Sequence, residues 1–119
     1  MTDTTWLHGY LGDTYADTIQ AQRDAILAAA AAIDARWPEP DLDDTRREAL
    51  AAAVWVILGD ATLETTADTW HAARAIERDA HARLTGALIA SEGEPERRIA
   101  ERAHIARMTV RKALGKDVR

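Results

Sequence analysis

Proline occurs at only three places, Pro38, Pro40 and Pro95, and between them apolar residues return at every third or fourth position. No stretch alternates apolar and polar residues for long enough to make a convincing strand. The fold class this pattern predicts is all-α, and the punctuation places the helices. The first covers 13–37, capped by Asp13, with Tyr15, Ile19, Ile26, Ala29, Ile33 and Trp37 on one stripe. "WPEPDLDD" ends it, because proline donates no backbone hydrogen bond and disfavours helical geometry in the residue before it. A second helix over 44–58 opens with Thr45 and Glu48 at capping-box spacing and closes at Gly59, a left-handed exit. The third segment, 62–90, is about 42 Å long if unbroken. It either breaks at Gly86, its weak point, or links two bundles as a rod. After "SEGEP" come a short helix over 95–103 and a last one over 107–114, ended by Gly115.

The 119 residues suffice for one ordinary domain or two very small ones. The expected division is an acidic helical oligomerisation region, 1–72, and a second region, 73–119. The segment "AVWVIL" is apolar all round, which suits a core or an interface. Val54, Trp55, Ile57 and Leu58 are therefore expected to form a homodimer contact. Trp6, Trp37, Trp55 and Trp70 are expected in the core or at that contact.

Several functional classes lose support. There is no cysteine, hence no disulfide framework and no thiolate ligand or nucleophile, which fits a reducing cytoplasm. The N-terminus lacks the pattern of a secretory signal, and the longest apolar run, "AILAAAAAI", is too short for about 30 Å of hydrocarbon. A cytoplasmic protein without membrane contact is expected. Ser91 is the only serine, and "GYLGD" is not a phosphate-binding loop. Asp68 and His71 lie three apart with His81 ten residues on, while His8 and His104 stand alone, and no HExxH motif occurs. No enzyme, cofactor or metal site is expected. Asp41, Asp43 and Asp44 read as a solvated loop that caps a helix.

Charge is segregated. Up to Glu94 there are seven basic and seventeen acidic residues; beyond it there are eight basic and three acidic. An acidic body beside a basic end is compatible with a nucleic-acid contact. The basic end holds "RIAERAHIARMTVRKALGK", residues 98–116. Ile99, Ala100 and Ala103 share a face of the short helix, Ile105 lies in the joint, and Val110, Ala113 and Leu114 share a face of the last helix. All seven can turn to a common core with Leu84 and Leu88. Two helices joined by three or four residues, with alanine at the crossing, predict a helix-turn-helix.

That segment resembles the helix-turn-helix of bacterial repressors, including GntR-type and LacI-type regulators. "ARMTVRKAL" is similar to the Ser-Arg-x-Thr-Val-Arg-x-Ala-Leu common in GntR-type recognition helices. Ala100 matches the small residue of the first helix, Ile105 the apolar turn residue, and Val110 and Leu114 the core positions. Two positions depart from the pattern: His104 stands where glycine is usual, and Ala106 where a serine cap is usual. The resemblance covers the motif, with 74–90 as the leading helix of a three-helix unit, and leaves no room after Leu114 for the GntR-type wing.

The resemblance implies that Arg107, Met108, Arg111 and Lys112 read bases in the major groove and that Thr109 touches phosphate. Arg97, Arg98, Arg102 and Lys116 are expected on phosphates as well. The expected function is sequence-specific binding of double-stranded DNA by a small dimeric transcriptional regulator. The alternatives are a phage or plasmid accessory DNA-binding protein, acting in packaging, partition or excision, and a protein-interaction module whose basic helix docks on an acidic partner. The DNA reading needs the guanidinium side to stay free. Arg107, Arg111 and Lys112 tied up against the molecule's own carboxylates, or hidden by a neighbouring subunit, would end it.

Overall fold

A computed structural model describes residues 4–116. Among the described residues the chain is all-helical, with no strand: α1 (Trp6–Leu11), α2 (Gln20–Arg36), α3 (Asp43–Leu58), α4 (Leu63–Ala90), α5 (Glu96–Ala103) and α6 (Arg107–Ala113). It divides into two compact units, Met1–Thr69 and Trp70–Arg119. No helix among the described residues is long and apolar enough to cross a membrane.

In the N-terminal unit, the helix expected from Asp13 begins later. A 3-10 turn, Gly12–Asp17, follows α1, and the backbone is extended at Thr18 (ψ 151°) and Ile19 (ψ 163°) before α2 starts. Arg23 holds this corner. Its Nε donates to Thr18 Oγ1 at 2.7 Å, and its Nη2 donates to the carbonyls of Tyr15 (2.9 Å) and Thr18 (3.0 Å). The guanidinium lies 4.0 Å from the Tyr15 ring centre, a cation–π contact. The Ile19 amide donates to Gln22 Oε1 at 2.9 Å, which satisfies one of the amides a helix start leaves unpaired. Asp13 thus begins a 3-10 turn, and Ile19 is exposed.

The capping box expected at Thr45 and Glu48 does not form. The turn Pro40–Leu42 starts α3 at Asp43, ahead of Thr45, with no side-chain cap. Asp43 and Asp44 in the first turn pair with Arg46 and Arg47, and Arg46 Nη1 also donates to the carbonyls of Trp37 and Glu39, both at 2.6 Å. One arginine therefore ties the end of α2 to the start of α3. Gly59 ends α3 in the left-handed conformation (φ 84°), as its position predicts, and the Asp60 amide donates back to the Trp55 carbonyl at 2.8 Å.

The core of this unit is Leu7, Ile26 and Val54, with Leu11, Tyr15, Leu27, Leu50, Ile57 and Leu58 packed on it. Two expectations are corrected here. Val54 is buried in the chain's own core and Ile57 and Leu58 lean on it, so of the four residues expected at a dimer contact only Trp55 faces outward. Aliphatic side chains and Tyr15 close the cluster, and Trp6, Trp55 and Trp70 are exposed, so of the two places expected for them, the core or a contact, they do not take the core.

In the C-terminal unit, Leu88 of α4, Ile99 and Ala100 of α5 and Val110 of α6 are buried together, with Ala103, Ile105, Ala113 and Leu114 against them. All seven residues expected to face inward from the last two helices do so; Leu84 stays at the exposed edge. Helix α4 runs through Gly86 without a break.

Candidate nucleic-acid interface

The joint between α5 and α6 is three residues, His104, Ile105 and Ala106. The Ile105 amide donates to the Ala100 carbonyl at 3.1 Å, which closes the end of α5 and turns the Ile105 side chain onto the core. This requires a left-handed backbone at His104 (φ 56°, ψ 43°), the one non-glycine residue with positive φ among the described residues. Histidine tolerates that region at some energetic cost, where glycine adopts it freely. Ala106 begins α6 with no side-chain cap, as an alanine must. Gly115 (φ 75°) ends the helix, and the Lys116 amide donates to the Arg111 carbonyl at 2.9 Å.

With Val110 fully buried, α6 presents Arg107, Met108, Thr109 and Lys112 to solvent. Arg97, Arg98 and Arg102 stand exposed on α5. The structure thus brings the expected base-reading and phosphate-binding residues onto one short pair of helices, with Lys116 just beyond the second, but most of their charges are already paired. Arg98 approaches Glu94 at 3.6 Å, Arg102 bonds the same carboxylate, and Arg97 lies 3.8 Å from Glu101.

Glu96 is the centre of the arrangement. Its side chain is only 12 % exposed and receives three cations: Lys116 Nζ at 2.8 Å, Arg111 Nη1 at 3.0 Å and Arg107 Nε at 3.4 Å. Arg107 and Arg111 therefore fail the requirement that they be free, whereas Lys112 has no ion pair among the described residues. The two arginines differ in degree. Arg107 is 63 % exposed and makes one long contact, while Arg111 is 35 % exposed and places Nη1 against both carboxylate oxygens. Arg111 fastens α6 to the first turn of α5, which leaves its guanidinium engaged with Glu96.

The hydrogen bond from Lys116, with further bonding and charge from Arg111, lowers the Glu96 pKa from 4.5 to about 2, against a smaller opposing effect of burial. A folded-state value below the unfolded one means that Glu96 stabilises the fold above pH 4.5 and loses this contribution as pH falls toward 2. Urea titrations of the wild type should therefore show a stability decline across that window. In Glu96→Gln the decline should be smaller and the starting stability lower. Identical pH profiles would mean that the carboxylate is not held by its cations.

Among the described residues no group of three or more His, Asp or Glu side chains is placed to hold a metal ion. No family model, curated protein or solved structure matches this chain.

Proposed function

We propose that this chain binds double-stranded DNA through the α5–α6 pair, used as a helix-turn-helix, and acts as a small dimeric regulator. The single observation that carries the reading is the sidedness of the pair: Ile99, Ala100, Ala103, Ile105, Val110, Ala113 and Leu114 pack inward, while Arg107, Met108, Thr109 and Lys112 of α6 stay outside. An arginine and a lysine flanking a methionine suit guanine edges and apolar base contacts.

The internal ion pairs modify this reading without removing it. Exposed pairs such as Arg97–Glu101 and Arg98–Glu94 are each worth about 0–1 kcal/mol, and a polyanion competes for them through counterion release. Base reading then falls to Met108 and Lys112, and to Arg107 once its single 3.4 Å contact to Glu96, made by a 63 % exposed side chain, is exchanged for a base. Arg97, Arg98, Arg102, Thr109 and Lys116 are the phosphate contacts, and Arg111 braces the helix that presents them.

A second reading is favoured by the pairing itself. Carboxylates satisfy Arg107 and Arg111 well, so an acidic protein surface is also a suitable partner.

Selection of bound duplexes from a random pool tests the proposal. An enriched inverted repeat, with affinity for random duplex falling steeply as salt rises, is the expected result. No affinity for any duplex even at low salt rejects DNA binding in favour of the acidic partner.

A further inference from the structure

Among the described residues the middle of α4 is largely exposed, and only its last part, at His81 and Leu84, borders Thr109, Lys112 and Ala113 of α6. From Trp70 to Leu84 every residue except Ala75 is exposed, including Trp70 (55 %) and Ile76 (70 %). Isolated helices are marginal in water, and most helical stability in proteins comes from packing a face. The stretch is braced internally by little: Arg74 lies 4.8 Å from the Trp70 ring centre, and Arg78 lies 3.6 Å from Asp79. Glu77 and His81 have no hydrogen bond or ion pair among the described residues.

Trp70, Arg74, Glu77 and His81 follow one another at steps of four, three and four, the spacing of a coiled-coil seam, and Leu84 continues it. Their order has a two-fold character. Read from the midpoint between Ala75 and Ile76, Arg74 on one side corresponds to Glu77 on the other, and Trp70 corresponds to His81. In a parallel pair of such helices, Arg74 would face Arg74 and Glu77 would face Glu77. In an antiparallel pair each arginine meets a glutamate and each indole meets an imidazole.

We propose that α4 pairs antiparallel with α4 of a second copy of this chain, about a two-fold axis between Ala75 and Ile76. Arg74 of each copy bonds the partner's Glu77, and Trp70 packs on the partner's His81. The pairing replaces the dimer contact expected at Val54, Ile57 and Leu58, which the N-terminal core occupies.

The register has a consequence for the DNA reading. Leu88 anchors α4 in the core of the C-terminal unit, and at 1.5 Å per residue this register sets the two Leu88 residues about 38 Å apart along the helix axis. Successive major grooves on one side of a duplex are separated by about 34–36 Å. The register chosen by charge thus sets the two Leu88 anchors at a spacing close to one DNA turn. This last step rests on the proposed DNA binding, whereas the pairing itself does not.

The test uses the full-length chain without DNA. Sedimentation equilibrium should show a dimer. Arg74→Glu, which sets Glu against Glu at both inner pairs of the seam, should weaken it by roughly 100-fold, as should Glu77→Arg. The double reversal should restore it, which a fold defect in either single variant would not allow. The chain has no cysteine, so Ala90→Cys gives a single spin-label site. The label-to-label distance should be roughly 44 Å for the antiparallel register. A monomer at all concentrations, a dimer indifferent to charge reversal, or a short distance between the labels would each overturn the pairing. A dimer with these properties that selects no duplex would leave the pairing standing and remove the DNA reading instead.

Discussion

Replacing both Arg107 and Lys112 by alanine should lower affinity for a selected duplex by about a thousandfold. Each side chain that reads a base contributes about 1–3 kcal/mol of binding free energy, and the pair lies one helical turn plus one residue apart on the exposed side of α6. The loss should be greatest at the base pairs these residues contact. A different signature is expected on α5. Arg97→Ala, Arg98→Ala and Arg102→Ala should weaken binding to all sequences alike, each reducing the slope of log K against log salt by about 0.9. Arg111→Ala separates the two roles of α6: it should lower the stability of the C-terminal unit, because Glu96 loses a cation, and leave the preferred sequence unchanged. Quantitative binding on the selected site and on a scrambled duplex checks all of these. Wild-type affinity in the Arg107→Ala/Lys112→Ala variant would remove α6 as the reading element.

The second large effect concerns stability. Ile26 is fully buried in a cluster of only three buried residues. Ile26→Ala removes its branched end and leaves a cavity among Leu7 and Val54, at a cost of about 2–5 kcal/mol. For a small unit with a total stability of about 5–15 kcal/mol, that is enough to unfold much of it at moderate urea. Val110→Ala makes the matching defect in the other cluster, at about 2 kcal/mol, since fewer methyl groups are lost. Trp6, Trp37 and Trp55 belong to the N-terminal unit, so urea unfolding followed by tryptophan fluorescence reports mainly on Ile26→Ala. Helical circular dichroism reports both. A fluorescence midpoint unmoved by Ile26→Ala would contradict the core as described.

The pairing proposed for α4 offers a dimer contact in place of the one expected at Val54, which lies in the chain's own core. In the sequence, "AVWVIL" looked like an interface because all its faces are apolar. A helix apolar all round is equally suited to lie against its own neighbours, and α3 does that on the side of Val54 and Ile57 while Trp55 stays out. The seam on α4 is less apolar, and its signal is the order of charges.

Local chemistry alone determined where helices stop and how the last two are joined. Proline, Gly59 and Gly115 act through their own backbone geometry, and the face carrying Ile99, Ala100, Val110 and Leu114 follows from helical period. The left-handed joint at His104 is what the resemblance implies, since related motifs place glycine at that position. Tertiary structure decided whatever depends on side chains far apart in the chain. Arg23 reaching back to Tyr15 and Thr18 delays α2, and Arg46 reaching Trp37 and Glu39 displaces the expected cap of α3. Glu96 meets Arg107, Arg111 and Lys116 at separations of eleven, fifteen and twenty residues, which follow no helical or strand period. Such contacts form only when the α5–α6 corner closes on its core. Until it does, Arg107 and Arg111 are simply two cations in a basic segment, and nothing in their spacing says which one remains open to a partner.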